Sequence, residues 1–361
     1  MITAYFLALL LVVPILVLRE LFSKDSKGRN EKYTIVMWYV VFIFVIITGL
    51  RDTATISVDL LRQSDEYNYR QAFYQLINTP FSLSNVNSFE WGRYLFDWTL
   101  ANFFKDSQVW VFSYALLTNI LFVKTIRKYV KPLWFGVFLY ITVGVFTFQM
   151  NGTTSVLAGA ILFSGIKFAA NRNFFKYFLV IFVAAGIHFS AWVMLPLYFI
   201  LTKKSFSKAT PVWFIISVLF MIFFESIANF ILPKTPYGHY LSHINSDEVY
   251  GVSILRTLIF SSIYIFILTF KSKIKNYNLV DRYCTNIIVL LLFINISSLA
   301  YVYIYRFNEL FIFALIYMLP RVLYSFQKNI RYPLLLLIII AFFIFGLQQN
   351  WNNLYENILF K

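Results

Sequence analysis

The chain has 361 residues, 60% of them hydrophobic and 13% charged, and a formal net charge of +15. Apolar runs recur along its whole length at sizes that cross a hydrocarbon layer of roughly 30 Å as helices, which excludes an ordinary soluble domain. They do not alternate as strands do, which excludes a closed barrel, the other architecture that satisfies its backbone in lipid.

The expected fold class is therefore all-α, a polytopic membrane helical bundle of about 10–12 transmembrane helices. It forms a single transmembrane domain over 1–361. The first run, Ile2 to Leu18, has no preceding basic region and no small-residue cleavage site, so it reads as a retained span rather than a signal peptide. Further spans are predicted at 34–50, 107–123, 132–149, 153–170, 174–187, 189–201, 211–232, 252–270, 284–304, 307–320 and 332–347. Six basic clusters separate them. They begin at Arg19, Lys124, Lys167, Lys203, Lys271 and Arg321, and together hold 15 lysines and 7 arginines. The positive-inside rule puts all six in the cytoplasm, so the basic balance reads as orientation and not as nucleic-acid binding.

Two cytoplasmic clusters must be joined by an even number of crossings. Only about 26 residues separate Lys176 from Lys203, too few for two full spans of about 20 residues each. That segment is expected to be a short re-entrant hairpin with its tip at Gly186-Ile187-His188. The stretch 283–320 holds two crossings with Arg306 at the outer tip, and both termini fall outside. Two extracytoplasmic loops remain, a large one at 51–106 with amphipathic helices lying on the bundle, and a smaller one at 233–251. Cys284 is the single cysteine, so no internal disulfide is possible.

Nine basic residues stay on the outer side, and six are arginine: Arg51, Arg62, Arg70, Arg93, Arg256 and Arg306. Orientation needs only positive charge. Arginine adds a planar fork that matches phosphate oxygens and stays protonated. Arg62 and Arg70 read equally as ion pairs with the outer acids Asp52, Asp59, Asp65, Glu66 and Glu90. Arg51, Arg256 and Arg306 lie at span ends, where charge either faces a watery interior or snorkels to headgroups. His188 is either a hydrogen-bonded packing residue or a functional one at a helix break. Asp65 and Glu90 are the general-base candidates. Glu225 and Glu309 stand in apolar runs, where either could simply neutralise an arginine. There is no P-loop, no D-x-D pair and no zinc spacing among His188, His239 and His243, so no metal and no cofactor are expected.

At these positions the sequence resembles the EpsG family, a Wzy-like group of membrane proteins from bacterial capsule and exopolysaccharide clusters. Gly49-Leu50-Arg51 followed by Asp65-x-x-x-Tyr69 resembles its G-x-R then D-x-x-x-Y pattern. Phe89-Glu90-x-Gly92 is similar to its E-x-G segment, and Ala185-Gly186-Ile187-His188-Phe189-Ser190 to its A-x-x-H-x-S segment. Arg306 with Phe311 and Leu319-Pro320 resembles the arginine that opens the penultimate span. Asn151-Gly152-Thr153-Thr154 departs from the pattern, ending in threonine where the family often has arginine.

The resemblance implies a GT-C-like membrane glycosyltransferase at the outer face of the bacterial cytoplasmic membrane. It would polymerise polyprenyl-pyrophosphate-linked oligosaccharide repeat units, alongside other polysaccharide-assembly proteins. It implies Arg51, Arg93, Arg256 and Arg306 as pyrophosphate contacts and Asp65, Glu90 or His188 as base, with Tyr69, Trp91 and Tyr94 against the sugars. Two other classes compete. A flippase of the same lipid-linked units would show two related halves and central charges. A membrane acyltransferase would need an acyl-donor site on the inner side.

Overall fold

The computed structural model describes residues 2–22, 29–51, 65–82, 90–203, 210–234, 238, 252–299 and 301–350. Among these residues there is no extended strand, and helices follow one another along the chain. The chain is a polytopic helical membrane protein. Every one of the twelve apolar runs expected from the sequence carries helix. Five helices are long and apolar enough to cross a membrane by themselves: Ile2–Leu21, Ser107–Tyr129, Ile254–Lys273, Leu279–Ser297 and Lys328–Asn350. Pro211–Phe220 and Phe224–Ile231, which meet at 73°, make a broken sixth span or a re-entrant pair. The sequence predicts about 10–12 transmembrane helices with a short re-entrant hairpin among them, and five or six of the helices reach spanning length by themselves. The other six runs hold shorter apolar helices: Thr34–Gly49, Leu133–Thr142, Thr153–Ser164, Phe174–Ile187, Phe189–Leu201 and Phe313–Leu323. Local breaks account for part of the difference. Gly144 sits at φ 95°, a left-handed conformation that favours glycine, and separates Leu133–Thr142 from the short helix Val145–Phe148.

The chain divides into two compact units. The first comprises Met1–Gly165, Leu179–Trp192 and Phe326–Lys361. In it the helix Arg29–Gly49 runs against Ser107–Tyr129, while Ile2–Phe22 packs on Leu133–Thr142 and on Lys328–Asn350. Gly346 allows Tyr5 to lie against its helix, and the Tyr5 hydroxyl donates to the carbonyl of Phe343 at 3.0 Å. A buried polar knot ties three elements. Asn119 donates to Thr48 Oγ1 and Gln149 Oε1 at 3.1 Å each, and accepts from the Tyr140 hydroxyl at 3.1 Å. Such mutually satisfied side chains hold helices together where lipid supplies no hydrophobic drive.

Two helices of the 51–106 segment, the cap helices Asp65–Leu76 and Trp91–Phe104, pack on the long helix Ser107–Tyr129. They share one core, in which Phe73, Leu100 and Ala101 meet Trp110, Val111 and Tyr114 of the long helix and Leu157. Lys105, at φ 56°, ends the cap helix, and Asp106 starts the long one by accepting from the Gln108 N–H at 2.8 Å.

The second unit comprises Ile166–Phe178 and Val193–Ser325, centred on Leu279–Ser297. A capping box between Asn278 and Asp281 opens that helix. Asp281 is fully buried and accepts from Tyr317 Oη at 2.7 Å and from Arg321 Nε and Nη2 at 2.9 and 2.6 Å. The expected hairpin closes at its base in this unit. Phe174 meets Tyr198 and Phe199 at ring distances of 5.5 and 5.6 Å, so its limbs run antiparallel. Arg172 donates to the carbonyl of Thr202 at 2.8 Å. The tip of the hairpin belongs to the first unit.

Candidate functional site

In the first unit, four segments bring charged side chains together beside the hairpin tip. Two glycines allow it. At Gly186 an added Cβ would fall 2.6 Å from Cε2 of Trp91, and at Gly92 one would fall 3.1 Å from the carbonyl carbon and oxygen of Gly186. The cap helix and the hairpin thus meet backbone to backbone, and the residues just beyond each glycine are brought into reach.

Glu90 precedes the cap helix and His188 follows the hairpin's first limb. Glu90 Oε1 lies 3.1 Å from His188 Nδ1 and accepts the backbone N–H of Phe189 at 3.1 Å. Glu90 Oε2 pairs with Arg93 Nη1. Arg93 also faces Asp97 across 3.8 Å and sits over the ring of Tyr69 at 5.4 Å. The Tyr69 hydroxyl meets Thr154 Oγ1 at 3.0 Å, and Thr154 Oγ1 meets His188 Nδ1 at 3.3 Å. Glu90, Arg93, Tyr69, Thr154 and His188 therefore close a ring. Asp97 backs it, accepting from Trp110 Nε1 and the Tyr114 hydroxyl at 2.8 Å each.

The two carboxyls of this helix are tuned apart. Burial pushes Glu90 up, but the hydrogen bond from His188, the charges of Arg93 and His188 and the Phe189 N–H outweigh it, holding the group below the usual carboxylate range. For Asp97 burial wins over Arg93 and the two donors, and the carboxyl is pushed up to about 6. At neutral pH Glu90 is an acceptor only. A contact of 3.1 Å to its oxygen then places a proton on His188 Nδ1 and leaves Nε2 with the lone pair in the neutral ring.

A second knot adjoins the ring. Arg51 and Glu66 are 3% and 4% exposed, and Arg51 Nε donates to Glu66 Oε2 at 2.8 Å. Arg51 Nη1 bonds the carbonyl of Thr48, and Nη2 reaches Thr153 Oγ1 at 3.5 Å. Arg70 grips the other Glu66 oxygen through Nε at 3.1 Å and Nη2 at 3.0 Å, and Nη1 bonds Ser107 Oγ at 3.0 Å. All three guanidinium nitrogens of Arg51 and of Arg70 are thus engaged by the protein. Arg93 differs. Its side chain is 29% exposed, and its Nη2 has no hydrogen-bond partner among the described residues.

The remaining sequence candidates distribute as follows. Trp91 lies on Gly186 and against Phe182 at 4.9 Å, and Tyr94 packs on Phe81 at 6.1 Å while its hydroxyl accepts the Ser82 N–H at 3.2 Å. Tyr69 lies between Arg93 and Trp110. Asp65 opens its helix, but its side chain falls outside the described residues, as do Asp52, Asp59, Arg62, His239 and His243. Arg256 and Arg306 belong to the second unit. There the Arg256 guanidinium stacks 3.8 Å above Tyr305, Arg306 occupies an exposed turn, and Glu309 is buried within the charge field of both arginines.

Sequence reasoning gave Glu66 only as one of five acids that could pair with Arg62 or Arg70, and it missed Asp97, Thr153 and Thr154. Helical spacing carried a signal for Glu66 and Asp97. Glu66 stands four residues before Arg70, and Asp97 four after Arg93, so each pair shares a helix face. The threonines carried none, because a hydroxyl at a helix start is ordinary capping chemistry. Thr154 stands where the family pattern often has arginine, and here it is a buried hydroxyl inside the ring.

The chain matches the EpsG family over residues 36–359. No curated protein and no solved structure matches it significantly. With nearly the whole chain covered, and the family-like patches around Glu90 and His188 in direct contact, this protein belongs to the EpsG family.

Proposed function

We propose that this protein polymerises polyprenyl-pyrophosphate-linked oligosaccharide repeat units at the outer leaflet of a bacterial cytoplasmic membrane. His188 is the base, Glu90 orients it, and Arg93 holds the pyrophosphate. Membership of the EpsG family suggests a polysaccharide polymerase-like role, and the ring around Glu90 supplies the two functions such a transfer requires.

The acceptor is a sugar hydroxyl of the incoming lipid-linked unit. Its proton passes to His188 Nε2 as its oxygen bonds to the anomeric carbon of the growing glycan. The bond from that carbon to the pyrophosphate oxygen breaks, and the lipid pyrophosphate leaves with the electron pair. Glu90 keeps Nδ1 protonated and stabilises the imidazolium that forms, as a carboxylate does behind a histidine base. Arg93 presents a guanidinium to the departing charge while its other faces are held by Glu90, Asp97 and Tyr69. Arg51, with every nitrogen engaged, buttresses the helix that carries Thr153 and Thr154.

The observation that carries this reading is the contact of His188 Nδ1 with a carboxylate held ionised beside a partly exposed arginine. Purified protein in nanodiscs, supplied with lipid-linked repeat units, is expected to produce a polymer ladder. His188→Ala and Glu90→Gln should each lower its rate by about 100-fold or more. Arg93→Lys, which keeps the charge and loses the fork, should also be impaired. Transbilayer movement of the lipid without bond formation would make the protein a flippase. Incorporation of acetate would make it an acyltransferase.

A further inference from the structure

Thr154 is fully buried, and its hydroxyl stands between Tyr69 Oη at 3.0 Å and His188 Nδ1 at 3.3 Å. Tyr69 is itself fixed by Trp110, with ring centroids 5.5 Å apart, and by Arg93 above its face. Trp110 in turn donates to Asp97. The hydroxyl is therefore pinned by an aromatic support carried on elements other than the hairpin bearing His188.

Proton counting shows what such a hydroxyl does. A threonine hydroxyl has one proton and two lone pairs. If Tyr69 donates to Thr154, or Thr154 to Tyr69, a lone pair on Oγ1 remains for the imidazole. Glu90 Oε1 also offers only lone pairs. When Thr154 gives its proton to Tyr69, both neighbours of His188 Nδ1 are acceptors, and both reward the tautomer with the proton on that nitrogen. A single acceptor leaves an imidazole able to pivot; two acceptors on different elements fix the ring plane.

We propose that Thr154, braced by Tyr69, is a positioning residue that locks His188 with the proton on Nδ1 and turns the unprotonated Nε2 toward the acceptor hydroxyl. The role of Nε2 rests on the function proposed above; the tautomer does not, and can be read without any substrate. The site gains a specificity of orientation from a residue that touches no substrate atom.

The test begins with ¹⁵N imidazole shifts in nanodiscs, using protein whose other two histidines are replaced by glutamine so that His188 is observed alone. The expected result is one species protonated at Nδ1. Thr154→Val, which keeps the shape and removes the hydroxyl, should give a mixture of tautomers. Thr154→Ser should restore the single species, and Tyr69→Phe should shift the populations in the same direction as the valine variant by a smaller amount. In the polymerisation assay the valine variant should lose about tenfold in kcat with KM little changed, and the serine variant should recover it. A wild-type His188 protonated at Nε2, or a valine variant with the wild-type tautomer, would overturn the proposal. A serine variant as impaired as valine in both readouts would do the same. The expected tautomers in a protein that makes no polymer would uphold the positioning and remove the polymerase reading.

Discussion

Asp97 lies seven residues along from Glu90 on the same helix, yet the two carboxyls titrate in opposite directions. Glu90 is 20% exposed and collects a histidine, an arginine and a backbone N–H. Asp97 is 6% exposed, and the donors of Trp110 and Tyr114 do not offset its loss of water. A carboxyl pushed up to about 6 from an ordinary 3.8 favours folding most when protonated. That contribution is complete below about pH 4 and is lost as pH rises through 6. Asp97→Asn keeps an oxygen for Trp110 and Tyr114 and removes the buried charge. It should raise the thermal midpoint above pH 7, by no more than about 3 kcal/mol of stability, with the gain vanishing near pH 4. Glu90 has the opposite sign. Its lowered value stabilises the fold above the unfolded carboxyl's range and is lost as pH falls below it. Glu90→Gln should therefore cost stability at pH 7, and the cost should shrink as pH falls through the folded carboxyl's lowered value. Thermal unfolding of the two variants across pH checks both signs, and parallel shifts at every pH would contradict them.

At the level of elements, the site depends on how closely a cap helix and a hairpin approach. Gly186→Ala would drive a methyl into the Trp91 ring, and Gly92→Ala would press one on the Gly186 backbone. The tryptophan can shift and a backbone cannot, so the two differ. Gly186→Ala should leave folding intact and reduce polymer yield several-fold, while Gly92→Ala should cost more of both. Yield together with the size-exclusion profile of the purified protein separates the two cases. The helical runs themselves were legible, since hydropathy marks every one of the twelve. Their breaks were less so, because a bend such as the 73° turn before Phe224 is set by packing that no local pattern encodes. The site was legible in part. The spacing of Glu90, Arg93 and Asp97 along one helix face is readable from sequence, and His188 stood out at a hairpin tip. The choice between Asp65 and Glu66 was not readable, because neighbouring positions of a helix lie only about 100° apart and packing alone fixes which of them turns inward. Glu66 turned inward to Arg51 and Arg70. Nor could sequence tell that Arg51 is fully engaged by its own chain, since its partners lie on other helices.

On the scale of the whole molecule, the bias between lysine and arginine has a structural counterpart. Arg51, Arg70 and Arg321 each bind several groups at once, which a guanidinium does and an ammonium does not. Lysines such as Lys128 and Lys275 stand exposed and serve as counters of orientation. If they count correctly, the cap helices and the Arg306 turn face away from the cytoplasm. Cys284 makes the experiment clean, because it is fully buried and should not react. Gln71, Lys128, Lys275 and Arg306 are exposed, so cysteine at each is reachable from its own side. A membrane-impermeant maleimide applied to intact cells should label Gln71→Cys and Arg306→Cys, and should label Lys128→Cys and Lys275→Cys only after the membrane is opened. The proposed chemistry needs this sidedness, since lipid-linked units can meet the Glu90–His188 pair at the outer leaflet only if the cap lies there. Gln71→Cys protected until permeabilisation would put that pair on the wrong side for outer-leaflet polymerisation.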